Sequence, residues 1–468
     1  MSRQLKLVLM ALASLVLLGA MVVFLLSRVD AKSRFEAIAS EATGLEVAVK
    51  GNVAIGLFPT PHVVLKEVTL RNGELQIASL GEADASVALW PLLRQLVQIQ
   101  RLALRNVNIE IERDRNGDLN FAKPSQASRP VTAMSLGRLS LAKASFRYIN
   151  RQSDSQFTAI DCNVDSDNVQ LAAGNSAGIM ERLSLSAHGA CAQVRNDQFV
   201  GADVDFSIAG QRGVFKLTPV SMQMMGGKGS GIIDADFTGG IPAFEVHYAV
   251  TQLHVDDLFK SLAPRKVGEG FLDFTADLSM RGRSAIEMTR TAKGEASLRG
   301  KDLMIAIGNL DEGLSNYESS QNFNLVDVGA FLIVGPLGAV ATKGYDFASN
   351  FQGTEGNTRI RVFVSEWRVE NGVAHAHDVA MATKENRLAM KGSLDFVNKD
   401  FDDVTIAILD NQGCARVEQR IRGPFSKPEV EKPNVFASLT GPIRSLIGKT
   451  GRLLGAKCDV FYKGSVRP

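Results

Sequence analysis

The stretch "FLDFTADLSM", residues 271–280, decides the fold class, because apolar and polar residues alternate along it. Leu272, Phe274 and Leu278 fall on one side, and Asp273 and Asp277 fall on the other. Successive side chains of a β-strand point to opposite faces of the sheet, so a period of two predicts a strand with one apolar face. A helix would need a period near 3.6, which this stretch does not have.

The same alternation returns along the chain, in "NVNIEIE" (106–112), "ADVDFSI" (202–208), "FEVHYAV" (244–250) and "TRIRVFV" (358–364). Turn signals such as Asn116-Gly117 and Asn371-Gly372 separate these runs. So many one-sided strands predict a mainly β protein, in which an N-terminal transmembrane helix is followed by an elongated, curled antiparallel β-sheet. The apolar side of this trough needs a cover or a ligand. A few short capping helices are expected, at 89–98, 252–263 and 436–457.

The N-terminal segment carries 20 residues without a charge, from Leu7 to Leu26. A hydrocarbon core about 30 Å thick is crossed by about 20 helical residues, so the length fits a membrane anchor. The alternative is a secretory signal peptide, whose apolar part is usually about 7–15 residues long and ends at a small-residue cleavage site. The longer run and the following residues 27–30 favour an anchor that is not cleaved. We expect the N-terminus inside the cytoplasm and residues 30–468 outside it, although basic residues flank the span on both sides.

The charges and motifs exclude several function classes. Lys and Arg total 52 against 50 Asp and Glu, a net charge of +2, so nucleic acid is not an expected partner. "GGKGSG" (226–231) lacks the spacing of a phosphate-binding loop. His375 and His377, with Asp378 beside them, supply fewer ligands than a zinc site needs. We therefore expect no enzyme activity, no catalytic or metal-binding residue and no cofactor.

The four cysteines are Cys162, Cys191, Cys414 and Cys458. An even number without metal-binding spacing fits disulfides in an oxidising compartment, and four cysteines allow three connectivities. Proximity in sequence favours Cys162–Cys191 and Cys414–Cys458. Buried free thiols are the alternative.

Several motifs occur in a fixed order along the chain. After the apolar segment come "GNVAIGLFPTPHVVLKEVTLRN" (51–72) and "ASVALWPLLRQLVQIQRLALRNVNIEIERDRNGDLNF" (85–121), and later "EWRVENGVAHAHDVAMATKENRLAMKGSLDFVNKDFD" (366–402) and "RIRGPFSKPEV" (420–430). The turn at Phe58-Pro59 and the turn from Arg113-Asp114 through Gly117 to Asn120 belong to this succession. In this order the motifs resemble the AsmA family of Gram-negative envelope proteins. We expect the Pro-x-Pro at 59–61 to be a structural corner.

The resemblance implies a single-pass protein of the inner membrane, with a periplasmic β-groove related to bridge-like lipid transfer proteins. It implies five segments: an anchor at 1–29, an N-terminal AsmA-like β-region at 30–125, a middle groove at 126–265, a C-terminal AsmA-like β-region at 266–434, and an amphipathic helix and tail at 435–468. Members of the family are linked to phospholipid homeostasis of the outer membrane and to outer-membrane protein assembly. The implied partners are membrane lipids, the inner membrane and outer-membrane assembly components.

Two functions follow as expectations. In the first, the apolar side of the trough binds the acyl chains of phospholipids, and the protein transfers these phospholipids between the inner and outer membranes. The residues expected to line it are Val204, Phe206, Ile208, Val246, Tyr248, Phe274 and Leu278. In the second, the protein is a scaffold or regulator of outer-membrane protein assembly that acts through protein contacts, for example by strand addition at an open sheet edge.

Overall fold

The structure is a computed structural model. It describes residues 32–33, 36–37, 39–40, 45–56, 58, 60–88, 99–120, 134–173, 179–196, 199–260, 268–306, 310–312, 332, 356–431, 434–435 and 459–468. The chain divides into two compact units. The N-terminal unit comprises Met1–Ala177 and Leu185–Asp197, and the C-terminal unit comprises Gly178–Ser184 and Gln198–Pro468.

Most of the N-terminal unit is β-sheet. Its strands are β1 (Glu46–Val49), β2 (Val53–Gly56), β3 (His62–Asn72), β4 (Leu75–Val87), β5 (Ile99–Arg113), β6 (Met134–Asn150), β7 (Ser155–Leu171) and β8 (Leu183–Asn196), the last of which begins in the C-terminal unit. β1 and β2 both pair with β3, and β3–β4, β4–β5 and β6–β7 are antiparallel. β5 and β6 are parallel, a single exception among the described pairings to the mostly antiparallel sheet that the sequence predicts. Parallel strands need a crossover of about a dozen residues or more, and residues 114–133 provide one.

The C-terminal unit also consists mostly of β-strands. Its strands are β9 (Phe199–Gln211), β10 (Val214–Met224), β11 (Gly227–Asp236), β12 (Ala243–His254), β13 (Gly268–Glu269), β14 (Phe271–Arg281), β15 (Lys293–Ile305), β16 (Thr358–Glu370), β17 (Val373–Ala382), β18 (Arg387–Asp395), β19 (Asp400–Leu409), β20 (Ala415–Pro424), β21 (Glu429–Val430) and β22 (Asn434–Val435). Neighbours in sequence pair antiparallel from β9 to β12 and from β14 to β20. β12 pairs with β14, β13 pairs with β15, and both β21 and β22 pair with β20. The prediction of a mainly β fold is confirmed.

Three short helices are described along their whole length: α1 (Ile179–Arg182), α2 (Val255–Lys260) and α3 (Ala285–Thr291). Helical residues are also described before β1, at 32–33, 36–37 and 39–40, and before β16, at 310–312 and 332. α2 lies within the helix expected at 252–263, although it begins three residues later because β12 continues to His254. The expected helices at 89–98 and 436–457, and the anchor from Leu7 to Leu26, lie outside the described residues. Among the residues that are described, no helix is both long enough and apolar enough to cross a membrane.

Bulges interrupt many of the strands, and the sequence reading did not predict them. Nine residues other than glycine have a positive φ inside a strand: Glu67, Asn106, Lys143, Asp161, Asn168, Asp203, Gln252, Asp302 and Asp403. Most of them are Asn or Asp, the residue types that adopt this conformation at least cost. A side chain of the neighbouring strand can accept a hydrogen bond from the backbone N–H at such a position. The N–H of Gln252 donates to Asp273 Oδ1 at 3.0 Å. Bulges bend a strand and increase its twist.

The core of the C-terminal unit packs against both faces of β16–β19, and on one face it extends over β12, β14 and β15 through Val250, Leu272 and Leu298. On one face Phe363, Trp367 and Leu388 pack in a cluster that also contains Leu310 and Leu332, from the segment before β16. On the other face a second cluster consists of Val364, Ala380, Ala382, Ala389, Ala407, Leu409 and Val466. Val466 belongs to the C-terminal tail, so the chain itself covers both faces of the sheet here.

Asp378 holds the C-terminal tail in place. Its carboxylate accepts hydrogen bonds from Tyr462 Oη and from the N–H of Ser465, the latter at 2.9 Å. Arg387 Nη1 donates to the carbonyl of Val466 at 3.1 Å. Burial acts to raise the pKa of Asp378, but the hydrogen bonds from Ser465 and Tyr462 outweigh it and the net pKa lies below the ordinary value.

A disulfide joins Cys162 of β7 to Cys191 of β8, with a Cα–Cα distance of 4.0 Å. This is one of the two pairings that sequence proximity favours. Cys414 is also disulfide-bonded. Because Cys458 lies outside the described residues, the pairing Cys414–Cys458 stays a prediction.

Candidate functional site: an apolar face across β9–β14

Apolar side chains form two continuous rows across neighbouring strands of the C-terminal unit. The first row contains one residue from each of β9, β10, β11, β12 and β14, directly opposite one another: Ile208, Leu217, Ile233, Val246 and Leu278. The second row lies beside it and consists of Phe206, Val220, Gly231, Tyr248 and Ala276. We call these ten positions the apolar face. Both rows follow from the sequence period of two, because antiparallel registry aligns side chains of the same face.

Much of the apolar face is only partly covered. Every residue of the first row is half-buried, and so are Phe206 and Tyr248 in the second row. On β12 the alternation is clear, since Glu245, His247 and Ala249 are exposed on the other face. The apolar face is therefore a partly solvated surface and not a closed core. Tyr248 and Leu278 also pack against the buried core cluster, so the face is continuous with the core at one side. A partly covered apolar surface that runs across five strands is a candidate binding site.

The opposite face of the same strands is polar, and several of its charged residues lie in pairs. His247 Nδ1 lies 2.7 Å from Asp277 Oδ1 across β12 and β14, and Lys216 Nζ lies 3.8 Å from Asp234 Oδ1 across β10 and β11. These pairs are exposed, so each contributes little to stability. Charged groups thus occupy the polar face, whereas the two rows of the apolar face contain no charged residue.

A glycine strip shapes the apolar face at β11. Gly229 and Gly231 lie on this face of β11. The ring of Tyr248 packs against both glycines, in the space that a Cβ would occupy. The Tyr248 hydroxyl is buried and has no hydrogen-bond partner in the described structure. Burial raises the pKa of Tyr248 to about 12, so the hydroxyl stays neutral at any physiological pH. Because the Tyr248 hydroxyl is neutral and the two glycines have no side chain, this part of the apolar face carries no charge.

Toward β20, residues of the chain itself cover the apolar side of the sheet. Ser365 Oγ donates to the carbonyl of Leu332 at 3.0 Å, and the N–H of Leu310 donates to Thr358 Oγ1 at 2.8 Å. These bonds fasten the covering segment onto β16, where Trp367 is 1% exposed. Sequence alternation alone could not distinguish this covered part from the partly exposed part at β9–β14.

The structure places the seven predicted lining residues on one side of the C-terminal sheet. Phe206, Ile208, Val246, Tyr248 and Leu278 belong to the apolar face. Phe274 extends it, since it lies opposite Val250 in the register of β12 and β14. Val204 is buried within β9, one step past the bulge at Asp203. The sequence prediction missed Leu217 and Ile233. The alternation around Leu217 changes phase before Val220, where the register of β10 shifts, and Ile232 interrupts it beside Ile233.

The N-terminal unit has an apolar side of its own. Val53, Leu65, Ala83, Leu104 and Leu141 lie opposite one another from β2 to β6. Val47, Val49 and Val68 pack beside this row, together with Ala39 from the described helical residues that precede β1. One-sided strands therefore occur in both units.

Sheets of this kind define a class: β-rich proteins with long strands that carry one apolar side. The particular family follows from comparison with known proteins. The model of the AsmA family matches residues 1–198, so this part of the chain is similar to that family. The resemblance that the sequence motifs carry is thereby confirmed. The motifs at 366–402 and 420–430 lie outside the matched residues, and no curated protein matches the chain.

Proposed function

We propose that the protein is a non-enzymatic envelope protein that transfers phospholipids between the inner and outer membranes. Its apolar face would bind their acyl chains. In this way it contributes to outer-membrane homeostasis. The observation that carries the proposal is the pair of adjacent, partly exposed apolar rows across β9–β14. The match of residues 1–198 to the model of the AsmA family supports the same proposal.

The energetics of the face suit acyl chains. Each methylene that leaves water contributes about 0.8 kcal/mol when fully buried. A chain of a dozen or more methylenes therefore binds without any specific polar contact, even on a face that covers only one side of it. Because the rows contain no charge, a bound acyl chain can shift from one strand to the next without crossing a charged group. Binding of this kind tolerates different headgroups, which stay in solvent.

The proposed location is the periplasmic side of the inner membrane. The uncharged run from Leu7 to Leu26 has the length of a single membrane span. The disulfide between Cys162 and Cys191 fits an oxidising compartment, since disulfides are rare in the cytosol. The proposed orientation has a cytoplasmic N-terminus and places the bulk of the chain in the periplasm.

Site-specific photo-crosslinking in cells tests the proposal. The photoreactive residue benzoylphenylalanine is placed in the full chain at Phe206 or Tyr248 on the apolar face. The matched controls carry it at Ala249 or Thr275, which are exposed on the polar face of β12 and β14. We expect phospholipid adducts, identified by mass spectrometry, at the first two positions only. Equal adduct yields on both faces, or no adduct at either, would overturn the proposal.

A further inference from the structure

The hydroxyl of Tyr248 is a feature of the apolar face that apolar packing does not explain. It is buried, and it has no hydrogen-bond partner in the part of the chain that the structure describes. Arg387 and Gln419 also have one buried polar atom without a partner, but other atoms of the same side chains donate hydrogen bonds. The hydroxyl is the single polar atom of the Tyr248 side chain, so the whole hydrogen-bonding capacity of this side chain is unused.

The ring of Tyr248 has a structural role that does not need the hydroxyl. It packs on Gly229 and Gly231 of the neighbouring strand, and an aromatic ring placed against a glycine in this way stabilises a β-sheet. Phenylalanine would pack equally well and would bury no unsatisfied oxygen. The chain contains 24 Phe and only 5 Tyr, and it places Phe206 and Phe274 on this same side of the sheet. The oxygen at position 248 therefore needs a separate explanation.

The surroundings of the hydroxyl are apolar. Tyr248 packs against the buried core cluster together with Met224, Phe274 and Leu278. The two rows of the apolar face contain no other polar side-chain atom. A buried water needs about two to four polar partners, so water is a poor partner for the hydroxyl at this position. An acceptor that arrives with a ligand on the apolar face would satisfy the hydroxyl.

The chemistry of this position selects the kind of acceptor. Because the pKa of Tyr248 is raised to about 12, the hydroxyl keeps its proton and acts as a donor. The two rows contain no Lys or Arg, so an ionised phosphate or carboxylate would lose its hydration there without gaining a counter-charge. The ester carbonyl of a phospholipid is a neutral acceptor that is bonded directly to the acyl chain. It is the phospholipid group that fits an uncharged donor on an apolar face.

We propose that the Tyr248 hydroxyl donates a hydrogen bond to the acyl ester carbonyl of a phospholipid that is bound on the apolar face. The inference rests on the proposed function and adds the position of the lipid: its ester group lies at Tyr248, and its acyl chain covers neighbouring apolar side chains such as Val246 and Leu278. Tyr248 is half-buried, so a turn of its ring away from Gly229 brings the hydroxyl to the side of the ligand. One neutral hydrogen bond gives the lipid a preferred position without preventing its movement along the face.

The test compares two phosphatidylglycerols that have the same short alkyl chains. One is ester-linked, and the other is ether-linked and has no carbonyl. Their Kd values are measured by displacement of a fluorescent phospholipid from the full chain, held in an amphipathic polymer. The variants are Tyr248→Phe, which removes the hydroxyl alone, and Phe206→Leu as the control. The control changes an apolar contact on the same face and removes no hydrogen-bond donor.

We expect Tyr248→Phe to raise the Kd of the ester-linked lipid about fivefold, which corresponds to about 1 kcal/mol, and to leave the Kd of the ether-linked lipid unchanged. Phe206→Leu should change both Kd values by the same factor. Thermal unfolding without lipid gives a second readout. Because Tyr248→Phe removes an unsatisfied hydroxyl, it should not lower the Tm. A clear fall in Tm would overturn the proposal, since it would mean that the hydroxyl is bonded within the protein.

The two lipids also separate this inference from the proposed function. If Tyr248→Phe changes both Kd values equally, or changes neither, the hydrogen bond to the carbonyl is refuted. The proposed lipid binding survives that result, because both lipids still bind. If the unchanged protein binds neither lipid, the proposed function is refuted, and the role of the Tyr248 hydroxyl is refuted with it.

Discussion

Replacing Val246 by aspartate places a carboxylate in the middle of the first apolar row, between Ile233 and Leu278. Val246 is half-buried, whereas Ala249, three residues further along β12, is exposed on the polar face. Ala249→Asp therefore adds the same charge to the same strand without touching the apolar face. The two variants form a matched pair.

The magnitude follows from the spacing of the strands. Neighbouring strands lie about 4.8 Å apart, so an acyl chain along the row places about four methylenes over each strand. At about 0.8 kcal/mol for a fully buried methylene, and about half of that on a one-sided face, the contact at position 246 contributes about 1.5 kcal/mol. Losing this contribution weakens binding about tenfold. The carboxylate also keeps its water, which prevents the acyl chain from covering the position.

The assay titrates the full chain, held in an amphipathic polymer, with a short-chain phospholipid that carries a fluorophore on one acyl chain. We expect the Kd of Val246→Asp to rise about tenfold, in line with the loss of about four methylene contacts. The Kd of Ala249→Asp should equal that of the unchanged protein. Circular dichroism and thermal unfolding of both variants control for folding. A Kd that changes equally in the two variants, or in neither, would refute the argument from faces.

Three further predictions concern stability. Trp367→Ala removes a side chain that is 1% exposed and that donates to Ser365 Oγ at 2.8 Å, so the free energy of unfolding measured with denaturant should fall by about 3–5 kcal/mol; a change below about 1 kcal/mol would contradict this packing. Cys162→Ser opens a link between residues 29 apart in sequence and should lower the free energy of unfolding by about 3–4 kcal/mol, while reducing agent should leave the variant unaffected at this site. The contribution of Asp378 to tail docking is fully present above the unfolded pKa of about 3.9 and is lost as the pH falls through the lower folded pKa, so hydrogen exchange of residues 459–468 should accelerate only below about pH 4. Asp378→Asn should show faster exchange already at pH 7, and acceleration of the unchanged protein near pH 6 would rule out the carboxylate as the group responsible.

Much of the strand content was predictable because each strand carries its own signal. The alternation in residues 271–280 gives both the strand and its apolar side, and the structure places Phe274 and Leu278 on that side. The bulges were not predicted, although an Asn or Asp inside an alternating run, such as Asn106 or Asp203, is a local sign of one.

Other features had no local signal. The parallel pairing of β5 and β6 depends on the path of residues 114–133, which composition does not determine. The contact between Asp378 and Tyr462 joins residues 84 apart, and nothing near Asp378 in sequence distinguishes it from the other acidic residues of exposed strand faces. Whether a sheet face is covered depends on tertiary packing. The sequence therefore could not predict that the sheet is covered at β16–β19 and partly exposed at β9–β14.

The sheet edges bear on the alternative of a scaffold that acts through strand addition. An incoming strand needs unpaired N–H and C=O groups along an edge. On β20 those groups are occupied by β21 and β22, and between them the N–H of Glu431 donates to the carbonyl of Arg420 at 3.0 Å. On β1 the N–H groups of Val47 and Val49 already bind Ser40 and Glu36.

A partner strand would have to displace the protein's own residues at both of these edges, which favours lipid handling over strand addition there. An effect on outer-membrane protein assembly would then arise through the lipid supply. In a deletion strain that is shifted from complemented to depleted, phospholipid distribution should change before outer-membrane protein levels do. The reverse order would favour a direct scaffold.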